Sequence, residues 1–358
     1  YYFYNKDVLI FASELKCLSS ISSLPLSLNR ETIVNQVLKK TSKHPNTIYN
    51  NIYQLEPGHY LSYDVCKKKL NKSRYWNMPQ LSNDFNNIND SLSSFGNTFS
   101  DVIEDFISAD VEVGVFLSGG NDSSLVAQYA SQQSASKLKT FTMRFDEKEF
   151  DESYYAKSVS DIIGSTHYEV VIDRTQLLSN IDEVISLYDE PFSDSSAIPT
   201  FLISKFASNE VKVCLGGDGG DELFGGYDRY FYAKKMWNII KFMPLLIRSY
   251  LSKKLSKLPY GYSVKFLKII KTLQKIMKFS DARLLSRPDQ LERIYHTIGA
   301  KDLADLYDIL MSDIRQNYKI FSFNDDYTSN HKFLENSEFE NMMRLDANDY
   351  LPNDLLTK

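Results

Sequence analysis

The chain has 358 residues, of which 43% are hydrophobic and 24% are charged, and its net charge is −5. This composition is typical of a soluble globular protein of about two domains, and it excludes the collagen-like, disordered and disulfide-stapled classes. No apolar run approaches the roughly 18 residues that a membrane span needs, and the first residues lack a signal-peptide pattern. The three scattered cysteines agree with a reducing compartment, so we expect a cytoplasmic protein.

Residues 1–78 alternate short apolar runs with turn residues. We predict a strand in DVLIFAS, a short helix in SELKCLSS, and a helix in NRETIVNQVL with Asn29 as its N-cap. Two further strands are predicted on either side of the Pro57-Gly58 turn. Residues 79–90 are polar and rich in asparagine, so they are predicted to form a linker.

From residue 91 the pattern changes to apolar strands that alternate with helices. Buried strands in such alternation favour a parallel sheet covered on both faces, so we predict an α/β domain. After Tyr227 the pattern is helical throughout. The predicted strands are 111–117, 139–145, 167–172 and 211–217, and the predicted helices between them are 123–132, 152–163, 175–187 and 198–208.

A basic segment occupies residues 229–293, where 16 Lys and Arg accompany three Asp and Glu. Its apolar residues recur at helical spacing in WNIIKFMPLLIRSYLSKKLSKL and VKFLKIIKTLQKIMKF, with lysines on the opposite side. A helix that binds a membrane surface or a nucleic acid has this pattern, and so has a pair of packed helices with a solvated basic face. We favour the packed helices and expect neither a membrane nor a nucleic-acid partner.

The segment LSGGNDSS, residues 117–124, connects a predicted strand to a predicted helix. Gly119 and Gly120 allow a tight turn in which backbone N–H groups converge on an anion. Ser123 lies in the first turn of the helix, where the helix dipole also favours phosphate. Asp122 would repel a bare phosphate, but it is explained if it holds Mg²⁺. An ordinary strand–turn–helix connection uses similar glycines, so this segment alone leaves the question open.

A second segment, LGGDGGDELFGGY, follows the last predicted strand and contains six glycines and three acids in residues 215–227. In parallel sheets ligands bind at the carboxyl ends of the strands, where both segments fall. Asp221 could meet the Mg²⁺ held by Asp122, while Asp218 and Glu222 could bind a cation or move a proton. Together the two segments favour a nucleotide site over two coincidental loops.

These two segments resemble the synthetase domain of the asparagine synthase family. That domain belongs to the PP-loop group of ATP pyrophosphatases, a parallel-sheet, adenine nucleotide alpha hydrolase-like fold with a helical C-terminal part. The segments FDEKEFDESYYAKSVSDIIGSTHYEVVI, YDEPFSDSSAIPT and DANDYLPNDLLTK resemble further motifs of the family. FASELK, LEPGHYL and RYW resemble the C-terminal part of the family's class II glutaminase domain, which has an α+β Ntn-type fold.

The resemblance implies that ATP and Mg²⁺ are cofactors and that aspartate and glutamine or ammonia are substrates. The aspartate carboxylate would attack ATP to give an aspartyl-adenylate and pyrophosphate, and ammonia would then displace AMP to give asparagine. A homodimer is one expected assembly. Related enzymes amidate other carboxylates, including sugar acids of surface polysaccharides, or close a β-lactam or lasso ring. A nucleic-acid- or membrane-binding module with a vestigial ATP site is the remaining alternative.

The resemblance also implies roles for single residues. Asp218 stands where many members carry the glutamate tied to adenylate formation, and it is expected to be catalytic together with Glu222. Asp122 and Asp221 are expected to hold Mg²⁺. The residues expected to contact ATP and its pyrophosphate are Leu117, Ser118, Gly119, Gly120, Asp122, Ser123, Met143, Gly216 and Gly217.

The domain layout follows from the same resemblance. Residues 1–78 are expected to be the C-terminal part of the glutaminase domain, 79–90 a linker, and 91–358 a synthetase domain truncated at its C-terminus. The family's glutaminase begins with an N-terminal Cys nucleophile, which does not precede Tyr1, so we expect the chain to be part of a longer enzyme. Cys17 lies inside a predicted helix and is interpreted as a packed thiol.

Overall fold

The computed structural model of the chain describes residues 1–39, 42, 44–79, 87–145, 151–192, 194–256, 295–312, 333 and 337–357. These residues form two compact units, each assembled from distant parts of the chain. The first unit comprises Tyr1–Leu24, Leu55–Gly220 and Asp354–Lys358, and the second comprises Pro25–Gln54 and Asp221–Asn353. The boundary after Gly220 therefore passes through the second glycine-rich segment.

Short strands and helices occupy the described part of the first 76 residues. In chain order they are β1 (Tyr2–Tyr4), β2 (Leu9–Phe11), α1 (Leu15–Ser19), α2 (Arg30–Lys39), β3 (Ile52–Tyr53), β4 (His59–Asp64) and β5 (Lys69–Arg74). The predicted strand in DVLIFAS and both predicted helices are present. The side chain of Asn29 accepts a hydrogen bond from the backbone N of Thr32 at 3.1 Å, so the predicted N-cap is confirmed.

Strand β4 pairs antiparallel with β5, a strand that the sequence pattern does not indicate. Strands form on both sides of the Pro57-Gly58 turn as predicted, but the partner of β4 comes after it in the chain. Asp64 closes the connecting turn by accepting a hydrogen bond from the backbone N of Lys67 at 2.9 Å. Strand β5 has the sequence KLNKSR, which lacks apolar alternation, so backbone pairing rather than a buried face defines it.

A four-stranded parallel sheet forms the centre of the first unit. Its strands are β6 (Val113–Phe116), β7 (Lys139–Phe145), β8 (Thr166–Ile172) and β9 (Val213–Leu215), in the order β8-β7-β6-β9. All three neighbouring pairs run parallel, which confirms the predicted α/β class. Because β6 and β9 are adjacent, the two glycine-rich segments that follow them start side by side at one edge of the sheet.

Helices cover both faces of this sheet, as predicted. On one face, Val115 and Leu117 pack in a buried cluster with Val126 of α4. On the other face, Phe141 of β7 packs with Ile203 of α8. The helices of this part of the chain are α3 (Ile88–Ile107), α4 (Asn121–Gln133), α5 (Ser153–Ile163), α6 (Arg174–Ser179), α7 (Ile181–Leu187), α8 (Ala197–Ala207) and α9 (Gly220–Phe224).

The single helix predicted over residues 175–187 is wrong, because the structure divides it into α6 and α7 at Asn180. The side chain of Asn180 donates to the carbonyl oxygen of Gln176 at 2.7 Å and so replaces a helical backbone partner. Asp173 begins α6 with a capping box, since its side chain accepts from Gln176 N while the Gln176 side chain accepts from Asp173 N.

The second unit is helical after Tyr227 throughout its described residues, apart from short turns. Tyr230, Leu306, Tyr307 and Met342 form its buried core together with smaller residues. Its helices are α10 (Asp228–Ile240), α11 (Leu245–Leu255), α12 (Leu303–Met311), α13 (Glu338–Leu345) and α14 (Leu351–Asn353), with a π-helical turn at Asp346–Tyr350. A 3₁₀ turn at Leu355–Thr357 follows and belongs to the first unit.

Two further predictions concern the surface. The first basic helical stretch is present as α10 and α11, whereas VKFLKIIKTLQKIMKF lies outside the described residues. The prediction of a packed Cys17 is wrong, because its side chain is exposed on α1, where Leu15 and Leu18 form the buried side instead. Over the parts of the chain that the structure describes, no helix combines the length and apolarity needed to cross a membrane.

We predict that His167 makes the fold sensitive to acid. Its Nδ1 lies 2.9 Å from Oγ1 of Thr140, and burial lowers its pKa, although the Glu169 carboxylate 3.9 Å from Nε2 partly opposes this. The neutral ring therefore stabilises the fold above the unfolded pKa of about 6.5, and this stabilisation is lost as the pH falls below that value.

Thermal unfolding at pH 7.5 and pH 5.5 measures this effect. The His167→Gln variant keeps an acceptor for Thr140 without a titrating ring, so its melting temperature should fall less on acidification than that of the wild type. Equal falls in the two proteins would contradict the prediction.

Candidate functional site

The loop after β6 is held by its own serines. The backbone N of Leu117 donates to the carbonyl oxygen of Phe141 at 2.8 Å, so pairing with β7 continues one residue beyond the strand. The hydroxyl of Ser118 accepts from the backbone N of Gly120 at 3.2 Å and lies 2.9 Å from the hydroxyl of Ser123. The backbone N of Ser118 donates to Ser123 Oγ at 3.2 Å. These contacts fix the turn before α4 begins.

Gly119 can carry no side chain without disrupting this turn. Its φ angle is +80°, a left-handed conformation that favours glycine. A Cβ at this position would lie 2.5 Å from the backbone N of Ala156 and 2.6 Å from the carbonyl carbon of Tyr155. The first turn of α5 thus packs directly on the loop backbone.

The loop after β9 meets the first loop at Asp122. A Cβ at Gly217 would lie 2.9 Å from the backbone N of Ser123 and 3.0 Å from Cβ of Asp122. A Cβ at Gly220 would lie 2.6 Å from the carboxyl carbon of Asp122. The structure therefore brings the two segments together, and a carboxylate lies at their meeting point.

The other predicted contacts of the first unit lie at the same edge of the sheet. Met143 is on β7, the neighbour of β6, and Gly216 directly follows β9. Met143 is half-buried against the core beside Phe141, so its side chain has a packing role as well. Asp218 is exposed in the loop after β9.

The start of α4 can bind an anion. The helix is 13 residues long, and Gly120 at its N-cap leaves the first backbone N–H groups without a side-chain cap. The buried hydroxyl of Ser124 has no hydrogen-bond partner among the described residues. A phosphate oxygen at this helix terminus would have both backbone and hydroxyl donors nearby.

The two acids of the second unit differ in environment. Asp221 is half-buried and lies in the first turn of α9, while Glu222 is buried with no exposed surface. The hydroxyl of Tyr227 donates to Oε1 of Glu222 at 2.6 Å, and Oε2 is buried without a hydrogen-bond partner. Burial raises the pKa of Glu222, and the hydrogen bond from Tyr227 opposes part of that rise.

Sequence reasoning did not identify the polar cluster around Asp346. The carboxylate of Asp346 is buried and accepts a hydrogen bond from Arg229 at 2.6 Å, across 117 residues of sequence. Tyr230 and Tyr307 donate to the same oxygen at 2.8 Å and 2.6 Å. In the sequence, Arg229 comes two residues after the GGY motif and Asp346 opens DANDYLP, and neither position indicates the pairing.

In a further motif that resembles the family, one acid contacts α1 of the first unit. Asp189, in YDEPFSDSSAIPT, accepts a hydrogen bond from the backbone N of Leu15 at 2.5 Å. Its other oxygen lies 3.4 Å from the ammonium of Lys16, which also donates to the carbonyl oxygen of Leu187. The loop thus joins α1 to the region that precedes α8; Ser193 lies outside the described residues.

A metal at Asp122 would depend on the bound nucleotide. Among the described residues, no group of three His, Cys, Asp or Glu side chains forms a preassembled site. Mg²⁺ is usually held by one or two carboxylates together with substrate phosphates. Asp122 beside the α4 N-terminus, with the space that Gly220 leaves around its carboxylate, fits that donor set.

Comparison with known proteins identifies two families in the chain. Residues 95–358 match the asparagine synthase family, and residues 1–76 match a glutamine amidotransferase domain. A putative glutamine-hydrolysing asparagine synthetase of Methanocaldococcus jannaschii is 33% identical over 254 residues, which are 69% of this chain and 48% of that protein. Asparagine synthetase 1 of Bacillus subtilis is 29% identical over 64% of this chain and 36% of its own length.

A more distant relative has a different name. Amidase chry2 of Gibberella zeae is 26% identical over 64% of this chain and 36% of its own length. The chain thus spans about half, or less, of the length of these curated relatives. An NH3-dependent NAD synthetase from Campylobacter jejuni superposes with a TM-score of 0.28 at 16% identity, covering 58% of this chain and 96% of that one, which is too weak to support an argument.

We predict that Gly119→Ala destabilises the protein more than Gly164→Ala. Both glycines have positive φ angles, +80° and +71°, but a Cβ at Gly164 meets nothing within 4 Å. Gly164→Ala should therefore lose only about 1 kcal/mol through backbone strain. Gly119→Ala adds a clash with α5 and should lose roughly 1–3 kcal/mol more. Urea unfolding of the two variants measures the difference, and equal losses would contradict the close packing of the loop.

Proposed function

Because the chain belongs to the asparagine synthase family, we propose that it activates a carboxylate with ATP for conversion to an amide. The convergence of both glycine-rich loops on Asp122 is the observation that carries this proposal. A strand end, a helix N-terminus and a carboxylate that lie close together can bind a nucleoside triphosphate and its Mg²⁺. In the intact protein, the domain represented by residues 1–76 would supply ammonia from glutamine.

The first loop would bind the pyrophosphate of ATP. Ser118, Gly119, Gly120 and Ser123 would surround the phosphate oxygens at the start of α4, where the first backbone N–H groups of the helix would donate to them. The helix dipole favours the negative charge that the departing pyrophosphate carries. This loop would therefore stabilise the leaving group as the bond to the α-phosphorus breaks.

The adjacent strand ends would hold the adenosine. Leu117 directly follows β6 and Met143 lies on its neighbour β7, while Gly216 and Gly217 follow β9 on the other side of β6. Backbone groups at these positions would orient the α-phosphorus toward the carboxylate. Asp122 and Asp221 would hold Mg²⁺, which supplies charge neutralisation for the phosphates when it is bound.

Aspartate is the carboxylate that we propose as the acceptor. The relatives with the higher identities are named asparagine synthetases, which supports this choice. A second candidate is a different carboxylate, because the chain is also similar to an amidase and carries Asp218 where many family members carry glutamate. The shorter side chain changes the reach of this acid by one methylene.

Acid-dependent release of pyrophosphate tests the proposal. The intact protein, supplied with ATP and Mg²⁺, should release pyrophosphate when aspartate is added, and other amino acids and sugar acids serve as the competing candidates. Asp122→Asn should abolish the release, because it removes the carboxylate at the meeting point of both loops. Release with another acid alone would identify a different acceptor, and release by Asp122→Asn within a few-fold of wild type would contradict the assignment of Asp122.

We also predict that Asp218 acts on the chemical step rather than on ATP binding. Asp218→Ala should slow adenylate formation by about 10²-fold, as expected for one positioned polar group, while ATP affinity stays nearly unchanged. Asp218→Glu should retain activity, because the exposed position leaves room for a longer side chain. Asp110→Ala is the control, since Asp110 is an exposed acid before the amino end of β6.

Pyrophosphate exchange and ATP titration measure the two quantities separately. A stable Asp218→Ala protein with the full exchange rate would leave Asp218 only a capping role near α9.

A further inference from the structure

The second unit contains an ion pair, between half-buried Arg229 and buried Asp346, that the reaction proposed above does not use. Asp346 is 1% exposed, and its Oδ2 accepts hydrogen bonds from Arg229, Tyr230 and Tyr307. Arg229 donates to this oxygen through two nitrogens, at 2.6 Å and 3.2 Å. A guanidinium held in this way has little freedom to rotate, because its planar group is bonded to a buried carboxylate.

The fixed guanidinium holds an aromatic ring in turn. The central carbon of Arg229 lies 3.5 Å from the centroid of the Tyr227 ring and 4.8 Å from that of Tyr350. Such stacking is favourable between a cation and an aromatic face, more so away from water. Burial raises the pKa of the Tyr227 phenol, so its hydroxyl stays protonated and able to donate. The ring and its donor are therefore held in one orientation.

The Tyr227 hydroxyl extends this chain of contacts to α9. It donates to Oε1 of Glu222 at 2.6 Å, and the Glu222 side chain has no exposed surface. A carboxyl group turned into the protein toward a tyrosine is poorly placed to contact a substrate. It is well placed to anchor the short helix that carries it.

The residue before Glu222 is the one that this anchor would orient. Successive side chains on a helix point about 100° apart, so holding Glu222 inward sets the direction of Asp221. A Cβ at Gly226 would overlap Oδ1 of Asp221, so this carboxylate lies against the backbone of the turn that leads to Tyr227. The backbone N of Gly225 donates to the carbonyl oxygen of Asp221 at 2.8 Å, which closes the same turn.

We propose that Arg229, Tyr227 and Asp346 are positioning residues that hold α9 through Glu222 and thereby fix the direction in which Asp221 presents its carboxylate to Mg²⁺. In this assignment Glu222 acts through Asp221, in place of the direct catalytic role expected from the sequence. The inference rests on the proposed function in one respect, since that function assigns Asp221 to the Mg²⁺ of the bound nucleotide.

Binding of Mn²⁺ in the presence of ATP, followed by electron paramagnetic resonance on the intact protein, tests the positioning. Tyr227→Phe keeps the stacked ring but removes the hydroxyl, and it should weaken Mn²⁺ binding by about 10-fold, as expected for one hydrogen bond to a carboxylate. Arg229→Lys keeps the charge opposite Asp346 but loses the planar stacking, and it should weaken Mn²⁺ binding in the same direction.

Tyr168→Phe is the matched control. The Tyr168 hydroxyl also donates to a glutamate, Glu210 Oε2 at 3.0 Å, but on β8 and away from the glycine-rich loops. It should bind Mn²⁺ like the wild type. Folded Tyr227→Phe and Arg229→Lys proteins that also bind Mn²⁺ like the wild type would overturn the proposal.

Glu222→Gln separates positioning from direct chemistry. Its amide oxygen can still accept from Tyr227, so Mn²⁺ affinity should stay within a few-fold of wild type, and any loss of turnover should be no larger than the loss of Mn²⁺ affinity. A loss of turnover of about 10²-fold or more with unchanged Mn²⁺ affinity would show that Glu222 is itself a reacting acid and would overturn the proposal.

The outcome for the proposed function is independent. Wild-type protein that binds Mn²⁺ and ATP but releases no pyrophosphate with any acid would contradict that function, while the order of Mn²⁺ affinities would still decide the positioning. Wild-type protein that binds no Mn²⁺ with ATP would overturn the positioning as well.

Discussion

The candidate site depends on backbones that approach one another more closely than side chains allow. Asp122 lies where two loops meet, and the loop after β9 reaches it only because Gly217 and Gly220 lack Cβ atoms. Gly119 permits the same kind of contact between the first loop and α5. Close packing of this kind restricts the loop to one conformation, so its backbone N–H groups are oriented before any ligand binds.

The order of strands in the parallel sheet places the two loops next to each other and so forms the candidate site. Strands β6 and β9 are adjacent, although their paired residues Val115 and Leu215 are 100 positions apart in the sequence. Their neighbouring carboxyl ends place the two loops side by side. Helices on both faces bury Val115, Leu117 and Phe141, which keeps the strand ends rigid beneath the loops.

The polar cluster of the second unit contributes orientation more than stability. Pairing half-buried Arg229 with buried Asp346 removes much of both charges from water, and the desolvation penalty offsets much of their attraction. Removal of Arg229 alone would be expected to destabilise the fold by about 3–5 kcal/mol, because the Asp346 charge would remain buried. The hydrogen bonds to Tyr230 and Tyr307 saturate the carboxylate oxygen and make the geometry specific.

The sequence by itself determined the features that depend on neighbouring residues. Apolar runs placed the parallel strands to within two residues, and Asn29 marked the start of α2 because N-capping is a local hydrogen bond. The glycines and acids of the two loops were identified as a candidate site for the same reason, since turn conformation and local charge depend on a few consecutive residues.

Only the tertiary structure decided which distant groups meet. Strand β5 forms without apolar alternation because its partner β4 supplies the backbone hydrogen bonds. The residue pattern of β5 does not indicate that pairing. Asn180 divides the predicted helix because its side chain donates to a backbone carbonyl oxygen, and the spacing of apolar residues does not predict that hydrogen bond. The burial of Glu222 and the pairing of Arg229 with Asp346 arise from packing across the second unit, because the free energy of a buried charge depends on its whole surroundings.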